Sequence, residues 1–198
     1  MSSAAVVVPV KAFRAAKLRL AGVLDQAERA RLARRMADVV VAAARPLPVT
    51  VVCDDAEVRA WAEQVGAEVV WCPGRGLNGA VADGVAALRH QPVDMAIVAH
   101  ADLPLATRLD WLGAFPGVTL APDRRFDGTN VLAVPTSVGF RFAYGAGSFA
   151  RHRIEAGRLG LATRIVQDSR LAWDVDVPAD LDAAPIRAAG LLAANTPT

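Results

Sequence analysis

The sequence predicts an α/β protein, a three-layer sandwich in which helices cover both faces of a mostly parallel sheet. Short apolar runs alternate regularly along the chain with longer stretches that have helical hydrophobic spacing. The length of 198 residues, 54% of them hydrophobic, fits one domain with a sizeable core. No linker-like, repetitive or low-complexity segment interrupts the chain, so we expect a single domain over residues 1–198.

Seven short segments have the composition of buried strands. The first, residues 5–10, is continuously apolar and ends where Lys11 begins a basic loop. The others are residues 49–53, 68–71, 95–99, 118–121, 130–134 and 163–166. Ligands of such folds bind beyond the carboxyl ends of the strands. We therefore look for functional residues in the loops that follow the strands.

Six helices are predicted between and after these strands. Residues 26–45 carry apolar side chains at helical spacing, and Pro46 ends the helix. Asp54 or Asp55 is placed to cap the second helix. The remaining helices are predicted at residues 54–64, 80–89, 104–115, 148–159 and 179–189. We expect the tail, residues 190–198, to be frayed.

The composition argues against several classes of protein. No apolar run approaches the ~20 residues of a membrane helix, and the net charge is only +2, without the basic clustering of a nucleic-acid surface. Residues 1–9 lack the charged start and cleavage site of a secretory signal. Cys53 and Cys72 form neither a disulfide framework nor a zinc motif, so we expect reduced core thiols. These features predict a cytoplasmic protein without membrane or nucleic-acid partners, and its apolar helices are compatible with a homodimer.

The loop after the first strand is strongly basic. It carries Lys11, Arg14, Lys17 and Arg19 and has neither the dinucleotide-binding nor the phosphate-loop glycine pattern. The chain has 22 Lys and Arg residues, and Lys11 and Lys17 are its only lysines. An ammonium group is a compact charge that suits a phosphate, so we predict that the loop neutralises a triphosphate and its leaving pyrophosphate. The alternative is chance clustering in a solvated loop.

Acidic residues occur in two segments, one after a predicted strand and one before the last predicted helix. Asp102 follows a buried strand, where a carboxylate is unfavourable without a partner such as Mg²⁺. Asp174 and Asp176 point to one face of an extended segment and repel each other unless a cation lies between them. A divalent ion shared by all three would satisfy both requirements, whereas a helix N-cap is the alternative for Asp102. Asp180 is assigned to the first turn of the last helix, and His100 is set aside as a strand-end residue.

Three further loops carry glycines or hydroxyl groups. Residues 73–79 are expected to be irregular, and Asn78 there caps the next helix or binds a base edge. Residues 123–130 offer a backbone amide and the Thr129 hydroxyl to an anion. Ser148 lies at a helix start, where free amides favour phosphate or carboxylate, and a plain N-cap is compatible with that role.

Taken in order, these motifs resemble one family. The segments are Val8-Pro-Val-Lys11, Ala16-Lys-Leu-Arg-Leu20, Ala101-Asp-Leu-Pro104, Asp123-Arg, Gly128-Thr-Asn130, Tyr144-Gly-Ala-Gly-Ser-Phe-Ala-Arg-His152 and Asp174-Val-Asp-Val-Pro-Ala-Asp-Leu181. They look like the guanylyltransferases of coenzyme F-420 biosynthesis, which act on 2-phospho-L-lactate or phosphoenolpyruvate. The resemblance implies a Rossmann-like nucleotidyltransferase fold related to the molybdenum-cofactor guanylyltransferases. It also implies that GTP is joined to a small phosphorylated carboxylic acid with release of pyrophosphate.

The resemblance assigns roles to individual residues. Those implied for binding the acid are Thr129, Gly145 and Ser148. Those implied for Mg²⁺ are Asp102, Asp174 and Asp176. Those expected near GTP are Lys11, Lys17, Arg19, Asn78 and Gly79, with Lys17 and Asp102 as the catalytic residues. Close relatives carry Gly-Thr-Gly-Thr where this chain has Phe126-Asp-Gly-Thr129, so Asp127 adds a negative charge beside a site for an anion.

Two other functions are compatible with the same residues. A sugar-nucleotide nucleotidyltransferase or a metal-dependent glycosyltransferase of this fold would use the aspartates equally well. A non-enzymatic nucleotide-binding protein would use them as helix caps and the basic loop as a docking surface. The residues alone do not choose between phosphoenolpyruvate, phospholactate and phosphoglycerate, nor do they distinguish GTP from other nucleotides.

Overall fold

One seven-stranded sheet organises the computed structural model, which describes residues 3–183, 186 and 190. The strands are β1 (Ala4–Pro9), β2 (Val49–Cys53), β3 (Glu68–Trp71), β4 (Met95–Ala99), β5 (Val118–Pro122), β6 (Thr129–Pro135) and β7 (Thr163–Ile165). Their order is β3-β2-β1-β4-β6-β5-β7, and only the two pairs that include β6 are antiparallel. The predicted α/β class with a mostly parallel sheet is confirmed.

The helices agree with the predicted ones except in three places. They are α1 (Gln26–Ala44), α2 (Ala56–Gln64), α3 (Gly76–Leu88), α4 (Ser148–Arg158) and α5 (Pro178–Leu181), with short 3₁₀ turns at Phe13–Ala15, Leu18–Leu20, Asp110–Ala114 and Thr136–Val138. α3 begins four residues before the predicted start. The helix predicted at 104–115 is wrong, since only a 3₁₀ turn forms there and the Leu109 N–H donates to the Ala43 carbonyl of α1. Of the predicted 179–189 helix, the described part is helical to Leu181 and at residue 186, and residues 184, 185 and 187–189 lie outside the described residues, as do residues 191–198 of the tail.

Alternate residues of β1 face two different helical layers. Val6 and Val8 belong to a core cluster shared with α1 and α2, whereas Ala5 and Val7 pack with residues of α3 and α4. A Cβ at Gly84 of α3 would lie 2.5 Å from a valine of β2, so this helix lies directly on the sheet. The predicted three-layer sandwich is therefore present.

Side-chain caps fix the starts of α1 and α2. Asp25 and Glu28 form a reciprocal capping box at α1, and Asp55 accepts hydrogen bonds from two amides at the start of α2. Cys53 and Cys72 are buried, free thiols, as expected for core cysteines. Among the described residues no helix is long and apolar enough to cross a membrane.

Candidate active site

A cleft of about 540 Å³ opens beyond the carboxyl ends of β1, β2 and β4. This is where the fold places its ligands, and the volume is in the range of small-molecule sites. The polar and charged residues along it include Lys11, Lys17, Arg19, Asp54, His100, Asp102 and Asp176. The basic loop after β1 and two of the predicted metal-site aspartates therefore share one cavity.

Lys17 lies between two carboxylates that are distant in sequence. Its backbone is left-handed, with φ 54° and ψ 40°, and its side chain is only 9% exposed. Its Nζ donates to Asp102 Oδ2 at 2.6 Å and to Asp176 Oδ1 at 2.9 Å. The Arg19 guanidinium is exposed and lies 3.8 Å from the other oxygen of Asp176. The first loop and the two acidic segments thus meet at one ammonium group.

The electrostatics of this cluster follow from burial and close charges. Burial lowers the pKa of Lys17, but the Asp102 and Asp176 carboxylates outweigh that effect and hold its pKa above 10.5. Burial raises the pKa of Asp102, but the Lys17 ammonium outweighs it and holds the pKa below 3.8. The pKa of Asp174 is raised, first by burial and then by the charge of Asp102. Lys17 and Asp102 are therefore an ion pair at neutral pH, while Asp174 lies in an excess of negative charge.

Carboxylates are suitable ligands for a divalent cation, but in this structure the Lys17 ammonium lies between those of Asp102 and Asp176. Within the described ranges, no group of three or more His, Cys, Asp or Glu side chains is arranged to hold a metal ion. The Oδ1 atom of Asp102, however, is buried and has no hydrogen-bond partner in the described structure. A buried carboxylate oxygen without a donor is a suitable ligand for a hard cation.

The amides at the start of α4 are already bonded within the protein. The N–H groups of Gly147 and Phe149 donate to the side chain and the carbonyl of Asp127, at 3.1 and 3.0 Å. The Ser148 N–H donates to the carbonyl of Gly145, at 3.0 Å. The expectation of free amides for an anion is therefore wrong at these three positions, because Asp127 and Gly145 supply the acceptors.

Thr129 and Ser148 lie in contact in the interior. The Thr129 N–H donates to Ser148 Oγ at 3.0 Å, and Thr129 Oγ1 lies 3.1 Å from Nδ1 of His152. Both residues are buried, and the Gly128 N–H donates to the Asp123 carboxylate at 3.0 Å. The amides of this Gly-Thr pair are thus used internally, and the hydroxyl groups of Thr129 and Ser148 are available as donors to a ligand.

Asn78 connects α3 to the segment before α4. Its Oδ1 accepts a hydrogen bond from the Tyr144 N–H at 2.6 Å. The predicted capping role is wrong because α3 begins at Gly76, two residues earlier. Gly76 and Leu77 line the cleft, and Gly79 follows in the same helical turn. Nucleotide contact by Asn78 and Gly79 stays a prediction.

A group of rings that the sequence did not single out lies beside the cleft. His100 lines the cavity, and its ring centroid lies 4.9 Å from that of Tyr144, which lies 4.8 Å from that of His152. The Nε2 of His100 and the hydroxyl of Tyr144 are buried without a partner in the part of the chain that is described. The available signals were weak: His100 is two residues from Asp102, and His152 is one helical turn after Ser148.

Asp180 holds the backbone of the second acidic segment. Its Oδ2 accepts hydrogen bonds from the N–H groups of Asp176 and Val177, at 2.8 and 2.9 Å, and its Oδ1 pairs with Arg124. Burial raises the pKa of Asp180, but these donors outweigh it and lower the pKa. Arg124 also lies 4.2 Å from the ring centroid of Trp173. The placement of Asp180 in the first turn of the last helix is confirmed.

Comparison with known proteins identifies relatives over nearly the whole chain. Residues 4–194 match the family model described as "Guanylyl transferase CofC like". A phosphoenolpyruvate guanylyltransferase of Sphaerobacter thermophilus is 40% identical over 185 residues, covering 89% of each chain. One of Streptomyces coelicolor is 40% identical over 190 residues, covering 90% of this chain and 88% of its own.

A solved structure resembles the fold more distantly. It comes from Desulfovibrio desulfuricans and is described as a nucleotide-diphospho-sugar transferase. The TM-score is 0.72 at 17% identity, covering 92% of this chain and 86% of the other. At this identity the similarity shows that the two chains share a fold and nothing further.

Proposed function

This chain belongs to the CofC-like guanylyl transferase family, and we propose that it joins GTP to phosphoenolpyruvate and releases pyrophosphate, in coenzyme F-420 biosynthesis. The observation that carries the proposal is the Lys17 ammonium, held between Asp102 and Asp176 in a cleft of suitable volume. The names of the curated relatives favour phosphoenolpyruvate over 2-phospho-L-lactate. A cytoplasmic location and a homodimer are further expectations, which cell fractionation and light scattering test.

The reaction needs positioning and charge stabilisation rather than a general base. An oxygen of the acid's phosphate attacks the α-phosphorus of GTP, and the bond from that phosphorus to the bridging oxygen of the β-phosphate breaks. The electron pair leaves with pyrophosphate. The attacking phosphate is already ionised at neutral pH, so no proton has to be removed. Lys11, Lys17 and Arg19 would neutralise the phosphates of GTP and of the leaving group.

A magnesium ion is the cofactor that the acidic residues suit best. Asp102, Asp174 and Asp176 would hold it, and the partnerless Oδ1 of Asp102 supports that role. When bound, Mg²⁺ would neutralise phosphate charge and polarise the phosphoryl group. Removing divalent cations with EDTA should abolish pyrophosphate release, and adding Mg²⁺ back should restore it. Undiminished release in EDTA would contradict this assignment.

The acid is proposed to bind beside β6 and the start of α4. The hydroxyl groups of Thr129 and Ser148 can donate to its carboxylate or phosphate. Gly145 adopts a φ of +110°, a backbone conformation that favours glycine, and its carbonyl accepts the Ser148 N–H. This position is separate in sequence from the basic loop, so the acid and the nucleotide would be held by different segments.

Pyrophosphate release tests the proposal directly. The purified protein is incubated with GTP, Mg²⁺ and either phosphoenolpyruvate, 2-phospholactate or 3-phosphoglycerate, with ATP and CTP replacing GTP as controls. We expect GTP- and phosphoenolpyruvate-dependent release, which Lys17→Ala should reduce by at least about 100-fold. No release with any phospho-acid would refute the proposal. In a parallel incubation with a sugar 1-phosphate, release there and not with the phospho-acids would favour a sugar-nucleotide transferase, the function by which its structural neighbour is described.

A further inference from the structure

His152 is buried next to the proposed binding site for the acid, and the reaction as described does not use it. Its side chain is fully buried on α4, four residues after Ser148. Its Nδ1 lies 3.1 Å from Thr129 Oγ1, and its Nε2 accepts a hydrogen bond from the Ala143 N–H at 3.0 Å. One imidazole thus joins β6 to the segment before α4.

These contacts determine which ring nitrogen carries the proton. The Ala143 N–H can only donate, so Nε2 must be the unprotonated acceptor. Burial lowers the pKa of His152 to about 4, so the ring is neutral at pH 7 and carries its single proton on Nδ1. That proton is donated to Thr129 Oγ1.

The orientation of the Thr129 hydroxyl follows from this contact. Because Oγ1 accepts a hydrogen bond from His152, the hydroxyl's own hydrogen is available to another acceptor. Ser148 Oγ accepts from the Thr129 N–H and keeps its hydrogen in the same way. The N–H groups of Gly147, Ser148 and Phe149 are already bonded to Asp127 and Gly145, whereas these two O–H groups keep a hydrogen that can be donated to a ligand.

We propose that His152 is a positioning residue that fixes the Thr129 hydroxyl as a hydrogen-bond donor to the phosphorylated acid. The inference rests on the proposed function for the identity of that acid. The competing explanation is that the ring only fills space between Phe140 and Tyr144, whose ring centroids lie 5.8 and 4.8 Å from its own.

Two variants separate these explanations because each keeps one of the two hydrogen bonds. In His152→Asn, the amide nitrogen takes the place of Nδ1 and can still donate to Thr129. In His152→Gln, the side-chain oxygen takes the place of Nε2 and can still accept from Ala143. We expect His152→Asn to keep the KM for phosphoenolpyruvate within about threefold of the wild type and His152→Gln to raise it by about tenfold or more. The KM for GTP should stay unchanged in both.

A Thr129→Val background provides the second test. His152→Gln should leave the KM for phosphoenolpyruvate unchanged there, because the hydroxyl through which it acts is absent. The proposal would be overturned if His152→Gln raised this KM in the Thr129→Val background as much as in the wild type. It would also be overturned if His152→Asn and His152→Gln changed the KM for phosphoenolpyruvate equally. Unfolding midpoints of all variants identify any loss of fold.

Nitrogen-15 NMR of the histidine ring tests the geometry without turnover. The wild-type protein at pH 7 should show His152 as the neutral tautomer protonated at Nδ1. The tautomer protonated at Nε2, or a charged ring, would overturn the proposed positioning role. A wild-type enzyme that is inactive with every phospho-acid but shows the expected tautomer would instead refute the proposed function.

Discussion

Replacing Lys17 with methionine should destabilise the protein at neutral pH, because it leaves the Asp102 carboxylate without its cation. The Lys17 side chain is 9% exposed, and its Nζ lies 2.6 Å from Asp102. Removing one partner of a buried ion pair costs about 3–5 kcal/mol. Water screens part of this loss, since the Asp102 side chain is 23% exposed and that of Asp176 is 46% exposed. We therefore expect a decrease of about 2 kcal/mol in the free energy of unfolding.

The pH dependence of this loss has a defined sign. The pKa of Asp102 is held below 3.8, so its stabilising contribution is present above pH 3.8 and is lost as the pH falls through the folded pKa. The pKa of Lys17 is held above 10.5, so its contribution is present below pH 10.5 and is lost as the pH rises through the folded pKa. The difference between wild type and Lys17→Met should be largest between these limits and shrink beyond both.

Urea denaturation followed by the fluorescence of the four tryptophans measures this difference. The matched control is Lys11→Met, at the only other lysine, which is exposed and should change stability by less than about 0.5 kcal/mol. Lys17→Met combined with Asp102→Asn should lose less than the sum of the two single changes. A Lys17→Met protein as stable as the Lys11→Met control at pH 7 would refute the buried ion pair.

Four further changes test other parts of the structure. Gly84→Ala should lower the free energy of unfolding, measured by urea titration, by about 1–3 kcal/mol, because the new Cβ would lie 2.5 Å from a valine of β2. The control is Gly157→Ala, whose Cβ would have nothing within 4 Å and which should not destabilise the protein. His152 has a pKa near 6.5 in the unfolded chain and about 4 in the folded protein, so the free energy of unfolding should decrease by up to about 3 kcal/mol as the pH falls from 6.5 to 4. His152→Asn should remove this part of the pH dependence. Asp180→Asn weakens two backbone hydrogen bonds and an ion pair, so it should lower the free energy of unfolding by about 1–3 kcal/mol. The unfolding midpoint and kcat should both decrease. Asp127→Asn removes a negative charge at the start of α4, so it should lower the KM for the anionic acid roughly two- to fivefold. The KM for GTP should not change. An unchanged KM for the acid would contradict this prediction.

The strands were predictable because burial on both faces leaves a continuous apolar run in the sequence. β2, β3 and β4 have the predicted bounds. The apolar runs did not reveal the antiparallel direction of β6, although the segment between β5 and β6, residues 123–128, is too short for a parallel crossover. The helix predicted at 104–115 failed because a hydrogen bond from Leu109 to α1 replaces local helical bonding. Local spacing carries no information about such a distant partner.

The candidate site was predictable as a set of residues but not as an arrangement. The rule that ligands bind beyond strand ends selected the segments of Lys17 and Asp102, and the repulsion of two close carboxylates selected that of Asp176. The sequence did not indicate that the ammonium itself lies between the two carboxylates, since this depends on the left-handed backbone of Lys17. Nor did it indicate that Asp127 occupies amides at the start of α4, because that contact spans 20 residues.

The Arg124–Asp180 ion pair is one of the contacts that join the two halves of the proposed site. Arg124 lies in the loop before Thr129 and pairs with Asp180, whose other carboxylate oxygen accepts from the N–H of Asp176. Asp176 in turn contacts Lys17 of the first loop. The segment for the acid and the segment for the nucleotide phosphates are therefore positioned by one connected set of contacts. Attack of one bound substrate on another requires this, because a misplacement of about 1 Å can cost roughly 100-fold in rate.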